Sequence, residues 1–166
     1  RVDSDNQAEV PGELWVRGAN VMLGYYNNEE ATSAVMKDGW MNTGDMCVQD
    51  SDGFLYIRGR SKCMILTSSG QNIYPEEIES KLSALPYIAE TLVVQRDSKL
   101  VALVYPDKDK IKQTNIDDAH LAEIMNANLK QLNASIARYE QVAEIELRDT
   151  EFEKTPKHSI KRYLYK

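Results

Sequence analysis

Three short segments contain the residue types that bind nucleotides or transfer acyl groups. The first, Thr43-Gly44-Asp45, combines a glycine, which lets a ligand approach the backbone, with a carboxylate that can accept hydrogen bonds from two neighbouring hydroxyls. That chemistry suits a ribose. Taken alone, the tripeptide fits a solvent-exposed turn better, so its meaning depends on the other two segments.

The second segment begins at Gly59-Arg60-Ser61-Lys62 and continues through Ser69-Gly70 to a helix that starts at Pro75. It is predicted to be a strand end, a basic linker and a hairpin tipped by glycine. A glycine at a hairpin tip lets the backbone reach a ligand with no side chain in the way. By spacing alone, an ordinary turn is the simpler explanation.

The third segment is the basic tail, Lys154-Thr155-Pro156-Lys157-His158-Ser159-Ile160-Lys161-Arg162. Residues 152–166 carry a net charge of +4, whereas the preceding residues sum to −10. A basic tail on an acidic body predicts a local anionic ligand such as a phosphate. A lysine there could stabilise negative charge on a transferring acyl-phosphate oxygen. A solvated tail without a ligand explains the composition equally well.

Apolar periodicity predicts the elements that carry these segments. Before Arg60 the pattern indicates strands with one helix: strands at Glu13–Gly18 and Phe54–Arg58, and a helix at Asn28–Lys37. After it, the pattern indicates a Gly70-tipped hairpin, a helix from Pro75, strands at Thr91–Gln95 and Leu100–Tyr105, a helix at Asp117–Ala137 and a strand at Val142–Leu147. This order predicts an α+β fold, a short sheet covered by two helices. Leu100–Val104 is apolar throughout, so both faces of that strand should be buried.

Composition excludes several classes of protein. The chain has 166 residues, 42% of them hydrophobic, which is enough for a packed core. A net charge of −6 argues against non-specific nucleic-acid binding. No apolar run approaches the ~18 residues of a transmembrane helix. Arg1 is not a natural start, so the chain is expected to be part of something longer.

Several further motifs occur in one order along the chain: Gly12–Gly18, Gly24-Tyr25-Tyr26-Asn27, Asp38-Gly39-Trp40, Thr43-Gly44-Asp45, Asp52-Gly53-Phe54, Gly59-Arg60 and Ile73–Glu79. Each is weak alone. Together, in this order and spacing, they resemble the adenylate-forming superfamily, which comprises acyl-CoA synthetases, adenylation domains of peptide synthetases and beetle luciferase. The resemblance covers nearly the whole chain and points to the C-terminal portion of an acyl-CoA synthetase.

The resemblance implies an enzyme that activates a carboxylate with Mg-ATP to form an acyl-adenylate, and then transfers the acyl group to CoA. ATP, Mg and CoA would therefore act as substrates of the full-length protein. Residues 1–60 would be the β-rich end of the large N-terminal domain, and residues 61–166 the small mobile C-terminal domain. Nothing in the chain matches the Ser/Thr/Gly-rich phosphate-binding loop of the family.

Position by position, the resemblance also implies site residues. Asp45 would hold the ribose hydroxyls of ATP, and Arg60 would contact the ribose or the phosphates. Lys62 would be the hinge about which the small domain rotates between half-reactions. Ser69 and Gly70 would lie at the hairpin tip that lines the path of the CoA pantetheine. No metal ligands are implied in this segment.

The tail departs from the pattern. The family usually has Thr-Gly-Lys-Ile-x-Arg there, and its lysine assists adenylation. Here Ser159 stands at the lysine position and His158 at the glycine position. Three explanations compete: Lys157 takes the role from two residues earlier, Lys161 takes it from two residues later, or the step proceeds without this lysine. Of these, we favour Lys157.

The favoured interpretation is a carboxylate–CoA ligase of fatty acid metabolism, cytoplasmic or peripheral to a membrane, whose isolated C-terminal fragment is inactive. Its expected partners are the missing N-terminal domain, a small carboxylate, ATP and CoA, with no nucleic acid and no transmembrane segment. The alternatives are the adenylation domain of a peptide synthetase and a non-catalytic α+β interaction module. The module would not explain why the motifs around Asp45, Arg60 and Glu79 occur together.

Overall fold

The computed structural model describes residues 1–67 and 70–165. Contacts between Cα atoms divide the chain into two compact units, Arg1–Met64 and Ile65–Lys166. The boundary predicted from sequence, after residue 60, falls at the end of a strand shortly before this division. Each unit is described here by itself.

The first unit is mainly β-structure. Its elements are β1 (Val2–Asp3), β2 (Gly12–Val16), α1 (Glu29–Val35), β3 (Met36–Lys37), β4 (Trp40–Gln49) and β5 (Leu55–Arg60). The strands form one sheet in the order β1-β2-β4-β3, with β5 also paired to β4, and all of these pairs are antiparallel. The long strand β4 therefore organises the unit.

Local sequence signals set the ends of these elements. The side chain of Asn28 accepts a hydrogen bond from the amide of Ala31, which caps the N-terminus of α1. The helix ends at Val35, two residues before its predicted end, because the next residues pair with β4. Asp38 and Gly39 both have positive φ, 51° and 76°, as a two-residue hairpin turn between β3 and β4 requires.

Residues 1–64, all of which are described, bury few apolar side chains: Val2, Met46, Cys47 and Val48. By contrast, Leu55, Tyr56 and Ile57 of β5 are each about half exposed. A unit of this size needs more buried apolar surface than this for independent stability. The first unit therefore lacks a complete core of its own.

The second unit is an α+β domain, as predicted. In its described residues the elements are β6 (Ile65–Leu66), β7 (Asn72–Ile73), α2 (Pro75–Ser83), β8 (Ile88–Arg96), β9 (Lys99–Pro106), α3 (Lys108–Thr114), α4 (Asp118–Ala134) and β10 (Val142–Leu147). A three-stranded sheet has the order β10-β9-β8, with β9 antiparallel to β8 and parallel to β10. Strands β6 and β7 form a separate antiparallel pair.

Both faces of the three-stranded sheet are buried, which confirms the prediction for Leu100–Val104. One face packs against the helices: Ala102 and Val104 of β9 share a cluster with Leu82 of α2 and Leu132 of α4. The other face is covered by the tail of the chain, through a cluster made of Leu92, Val94, Val101, Leu103 and Phe152, with Ile160 and Tyr165 packed against it. The strand is apolar on both sides for this reason.

The prediction of two covering helices was incomplete, because α3 also contributes. Ile111 of α3 packs against the helix-side core. The Asp107 side chain caps the helix by accepting a hydrogen bond from the amide of Lys110, and Asn115 ends it in the left-handed conformation with φ 52°. With one strongly apolar residue in seven, this helix has no periodic stripe to detect.

None of the helices in the described part of the chain has both the length and the apolar character needed to cross a membrane.

Candidate functional site

Asp45 and Arg60, the two residues predicted to contact the nucleotide, face each other across β4 and β5. Arg60 Nε lies 3.1 Å from Asp45 Oδ1, and Arg60 Nη1 donates a 2.8 Å hydrogen bond to the Thr43 carbonyl. The side chain of Asp45 is 27% exposed and that of Arg60 59% exposed. The carboxylate is therefore fixed by a charged partner while it remains accessible to a ligand.

The backbone around Gly44 sets the position of Asp45. Gly44 has φ of 73°, a left-handed conformation that an L side chain adopts at a cost. Its amide donates to Asn42 Oδ1 at 2.8 Å, and the Asp45 amide donates to Thr43 Oγ1 at 3.1 Å. A register shift follows between Met46 and Cys47. The backbone conformation of this segment therefore favours glycine at position 44.

A cleft of about 660 Å³ opens beside these residues within the first unit. It is lined by Glu13, Tyr25, Ala34, Val35, Asn42, Thr43, Gly44, Arg60, Ser61, Lys62 and Cys63. The volume falls in the range that binds small molecules and nucleotides. The lining carries both carboxylate and cationic groups, which suits a polar ligand.

Glu13 is a residue of this cleft that the sequence did not single out. Its Oε2 accepts a 2.6 Å hydrogen bond from Asn42 Nδ2, and its Oε1 accepts a 3.0 Å hydrogen bond from Ser61 Oγ. It therefore ties β2, β4 and the turn after β5 together. Alternation in β2 marks Glu13 as a polar strand residue, but only the pairing of distant strands brings it to the cleft.

Lys62, the predicted hinge, lies in a single turn of 3₁₀ helix, Ser61–Cys63. Its side chain is exposed at the mouth of the cleft. The turn directly precedes Met64, the last residue of the first unit. The hinge role remains a prediction.

Gly70 lies in the loop between β6 and β7, as the sequence predicts. It has φ of 80°, and its amide donates to the Thr67 carbonyl at 3.0 Å. A Cβ built at this position would meet no described atom within 4 Å. The backbone there is open on its outer side. Ser69, the other residue predicted to contact CoA, lies outside the described residues.

The basic tail forms a short hairpin loop, with Lys154 and Ile160 paired at its base. The Thr155 amide donates to the Ser159 carbonyl at 2.8 Å, and the His158 amide donates to the Thr155 carbonyl at 2.9 Å. His158 has φ of 59°, a left-handed conformation that favours glycine. His158 stands where the family motif has glycine, and its backbone has the conformation that glycine favours.

The tail lysines differ in their surroundings. Lys157 lies in the exposed loop and makes no hydrogen bond or ion pair with any described residue. Lys161 is paired with Glu153, with 3.2 Å between Nζ and Oε2. Ser159 is also exposed, and its amide donates to Thr155 Oγ1 at 3.3 Å. Of the two candidate catalytic lysines, Lys157 is the one with an uncommitted ammonium group.

Within residues 1–67 and 70–165, no group of three or more His, Cys, Asp or Glu side chains is arranged to hold a metal ion.

Comparison with known proteins gives a consistent family. Residues 62–165 match the family described as the AMP-binding enzyme C-terminal domain. The chain is 42% identical over 146 residues to an indoleacetate–CoA ligase of Aromatoleum aromaticum, a match that covers 85% of this chain and 26% of that protein. It is 34% identical over 171 residues to a long-chain-fatty-acid–CoA ligase of Mycobacterium tuberculosis, covering 91% of this chain and 28% of that protein. The chain thus spans roughly a quarter of the length of these relatives.

Solved structures agree. The O-succinylbenzoate coenzyme A synthetase of Bacillus subtilis in complex with AMP matches with a TM-score of 0.78 and 28% identity, over 99% of this chain and 32% of that one. An anthranilate–CoA ligase in complex with anthranoyl-AMP matches with a TM-score of 0.76 and 28% identity, over 95% of this chain and 29% of that one. The chain belongs to the AMP-binding enzyme C-terminal domain family and corresponds to the C-terminal portion of an adenylate-forming enzyme.

Proposed function

We propose that the full-length protein is an AMP-forming carboxylate–CoA ligase. In the first half-reaction, a carboxylate oxygen attacks the α-phosphorus of ATP, and the bond to the β-phosphate breaks to release pyrophosphate. In the second, the CoA sulfur attacks the acyl carbon of the adenylate. A C–S bond forms, the thiol proton is lost, and AMP leaves.

The observation that carries this proposal is the Asp45–Arg60 pair beside the cleft. A carboxylate held by a guanidinium at 3.1 Å and still 27% exposed is suited to accept hydrogen bonds from two ribose hydroxyls. The adjacent guanidinium can contact the phosphate-bearing side of the nucleotide. We propose that Mg²⁺ enters with the ATP phosphates.

A fatty or aromatic acid is the proposed substrate class. The relatives are named for long-chain fatty acids and indoleacetate, which are both apolar acids with one carboxylate. Because these relatives are named as CoA ligases, we favour CoA ligation over the activity of a peptide-synthetase adenylation domain. The family match makes a non-catalytic interaction module the weaker alternative.

The test is a panel of fatty and aromatic acids offered to the full-length protein, with pyrophosphate, AMP and acyl-CoA all quantified. AMP and acyl-CoA in equal amounts, dependent on both ATP and CoA, are the expected products. The 166-residue chain alone should catalyse no ATP–pyrophosphate exchange, because it carries only part of the nucleotide site. ATP–pyrophosphate exchange by the isolated chain would contradict the proposal that it carries only part of the nucleotide site.

We further propose that Lys157 assists adenylation in place of the usual lysine. Lys157→Ala in the full-length protein should slow pyrophosphate release about tenfold, or about 1.4 kcal/mol, the size expected for one partly screened charge. Lys161→Ala is the matched control and should have a smaller effect, since Glu153 holds that ammonium group. A normal rate of pyrophosphate release in Lys157→Ala would refute the proposal that Lys157 replaces the usual lysine. A larger effect in Lys161→Ala would assign the role to Lys161.

A further inference from the structure

The tail loop, residues 154–160, lies between two charged anchors in the second unit. At its start, Lys154 forms an ion pair with Glu90, whose Oε2 also accepts a 3.1 Å hydrogen bond from the Phe152 amide. This pairing raises the pKa of Lys154, so the ammonium stays charged. At its end, Arg162 reaches Glu79 of α2. The loop residues between the anchors, with Lys157 among them, are largely exposed.

The second anchor is a largely buried ion pair between Arg162 and Glu79. Arg162 Nη1 donates to both oxygens of Glu79, at 2.7 and 2.9 Å. The side chains of Arg162 and Glu79 are 25% and 14% exposed. Burial raises the pKa of Glu79, while the charge of Arg162 and the amide of Val93 oppose that shift. One nitrogen of Arg162 bonds both carboxylate oxygens while the other, Nη2, donates to the Val93 carbonyl, and these charge-assisted bonds give the pair a defined geometry.

The same pair also completes the sheet edge. Strand β8 is the edge of the three-stranded sheet, so some of its backbone groups have no strand partner. At Val93 the amide donates to Glu79 Oε1 at 2.7 Å, and the carbonyl accepts from Arg162 Nη2 at 3.0 Å. The ion pair therefore replaces a neighbouring strand at this residue. A shift of Arg162 would leave the Val93 carbonyl without its donor and the largely buried Glu79 carboxylate without its charged partner. The free-energy cost of both losses holds the tail in place.

We propose that Glu79 and Arg162 are a positioning pair that holds the tail loop and thereby presents Lys157 for adenylation. The role in adenylation rests on the proposed function; the holding of the loop does not. Neither residue touches the reacting atoms in this scheme, and both act through Lys157. Hydrogen bonds within the loop shape it, and the anchors stabilise these hydrogen bonds and fix the position of the loop relative to β8.

The kinetic test uses Arg162→Gln in the full-length protein, with and without Lys157→Ala. Alone, Arg162→Gln should slow pyrophosphate release roughly fivefold, because small displacements of a catalytic group reduce rates strongly. In the Lys157→Ala background it should slow release no further, since its effect passes through that lysine. Thioester formation from supplied acyl-adenylate should stay at the wild-type rate. Equal losses in both half-reactions, or independent losses in both backgrounds, would overturn the proposal.

The matched control is Arg96→Gln, which breaks another ion pair in which one arginine contacts both oxygens of a carboxylate, here Glu146 at 2.8 Å. It lies on exposed surface and should leave both half-reactions unchanged.

A second readout does not depend on catalysis. In hydrogen–deuterium exchange, the amides of Thr155, His158 and Ser159 should lose protection in Arg162→Gln and keep it in Arg96→Gln. Unchanged exchange in Arg162→Gln would refute the claim that the Glu79–Arg162 pair holds the tail loop, even if the rate of pyrophosphate release changed. If wild type released no pyrophosphate with any acid, the proposed function would fail, and the exchange result would still decide whether the pair holds the loop.

Discussion

Asp45→Ala in the full-length protein is expected to lower kcat/KM for ATP by at least about 100-fold. Hydrogen bonds to a charged acceptor contribute about 1.5–3 kcal/mol each, so losing two of them costs at least about 3 kcal/mol. Initial rates of pyrophosphate release at varied ATP concentration measure the effect. Because the contact is made to the ribose, which does not react, most of the loss should appear in KM.

Arg60 complicates this substitution, since removing Asp45 leaves the guanidinium without its 3.1 Å partner. A cycle with Arg60→Ala and the double variant separates the two roles. If Asp45 binds the ribose directly, Asp45→Ala must still raise KM in the Arg60→Ala background. If its effect disappears there, Asp45 only holds Arg60, and the ribose assignment is wrong.

Gly70→Leu is expected to slow thioester formation by about 100-fold while it spares adenylation, because obstructing the path of CoA displaces the attacking sulfur. The structure sharpens this test: a Cβ at Gly70 meets no described atom within 4 Å, so a side chain should cause little clash among those residues. The Leu side chain would therefore obstruct a ligand that approaches the loop, such as CoA. Single-turnover release of pyrophosphate and of AMP separates the two half-reactions.

The substitution also strains the backbone, because Gly70 has φ of 80°. Gly53→Leu is a matched control: Gly53 has φ of 88°, and its Cβ would make only an ordinary contact, 3.8 Å from Gln49 Nε2. Both variants should lose similar thermal stability, but only Gly70→Leu should lose thioester formation. Equal loss of both half-reactions in Gly70→Leu would contradict the hairpin-tip role.

The sequence predicted the elements best where periodicity was strong. The apolar run Leu100–Val104 correctly indicated a strand buried on both faces. It could not show what covers the second face, because Phe152, Ile160 and Tyr165 are scattered among polar residues in the tail. The helix Lys108–Thr114 was missed for the same physical reason: it buries little, so it has no apolar stripe.

The site was predictable only in part. Asp45 and Arg60 belong to recognisable motifs, and the structure pairs them across adjacent strands. Glu13 and Asn42 contact each other over 29 residues of sequence, and Glu79 and Arg162 over 83. No local pattern encodes such pairs, since they arise from the packing of elements that are each predicted separately. The catalytic role of the tail lysine stays a prediction.

The cover that the tail provides has a consequence for biosynthesis. While residues 152–165 are still inside the ribosomal exit tunnel, Leu92, Val94, Val101 and Leu103 have no cover on that side of the sheet. The nascent domain can pack its helices on one side but must keep the opposite side in water. Folding of this unit can therefore be completed only after Tyr165 has left the exit tunnel, and a chain stalled before that point would expose apolar strands to which chaperones bind.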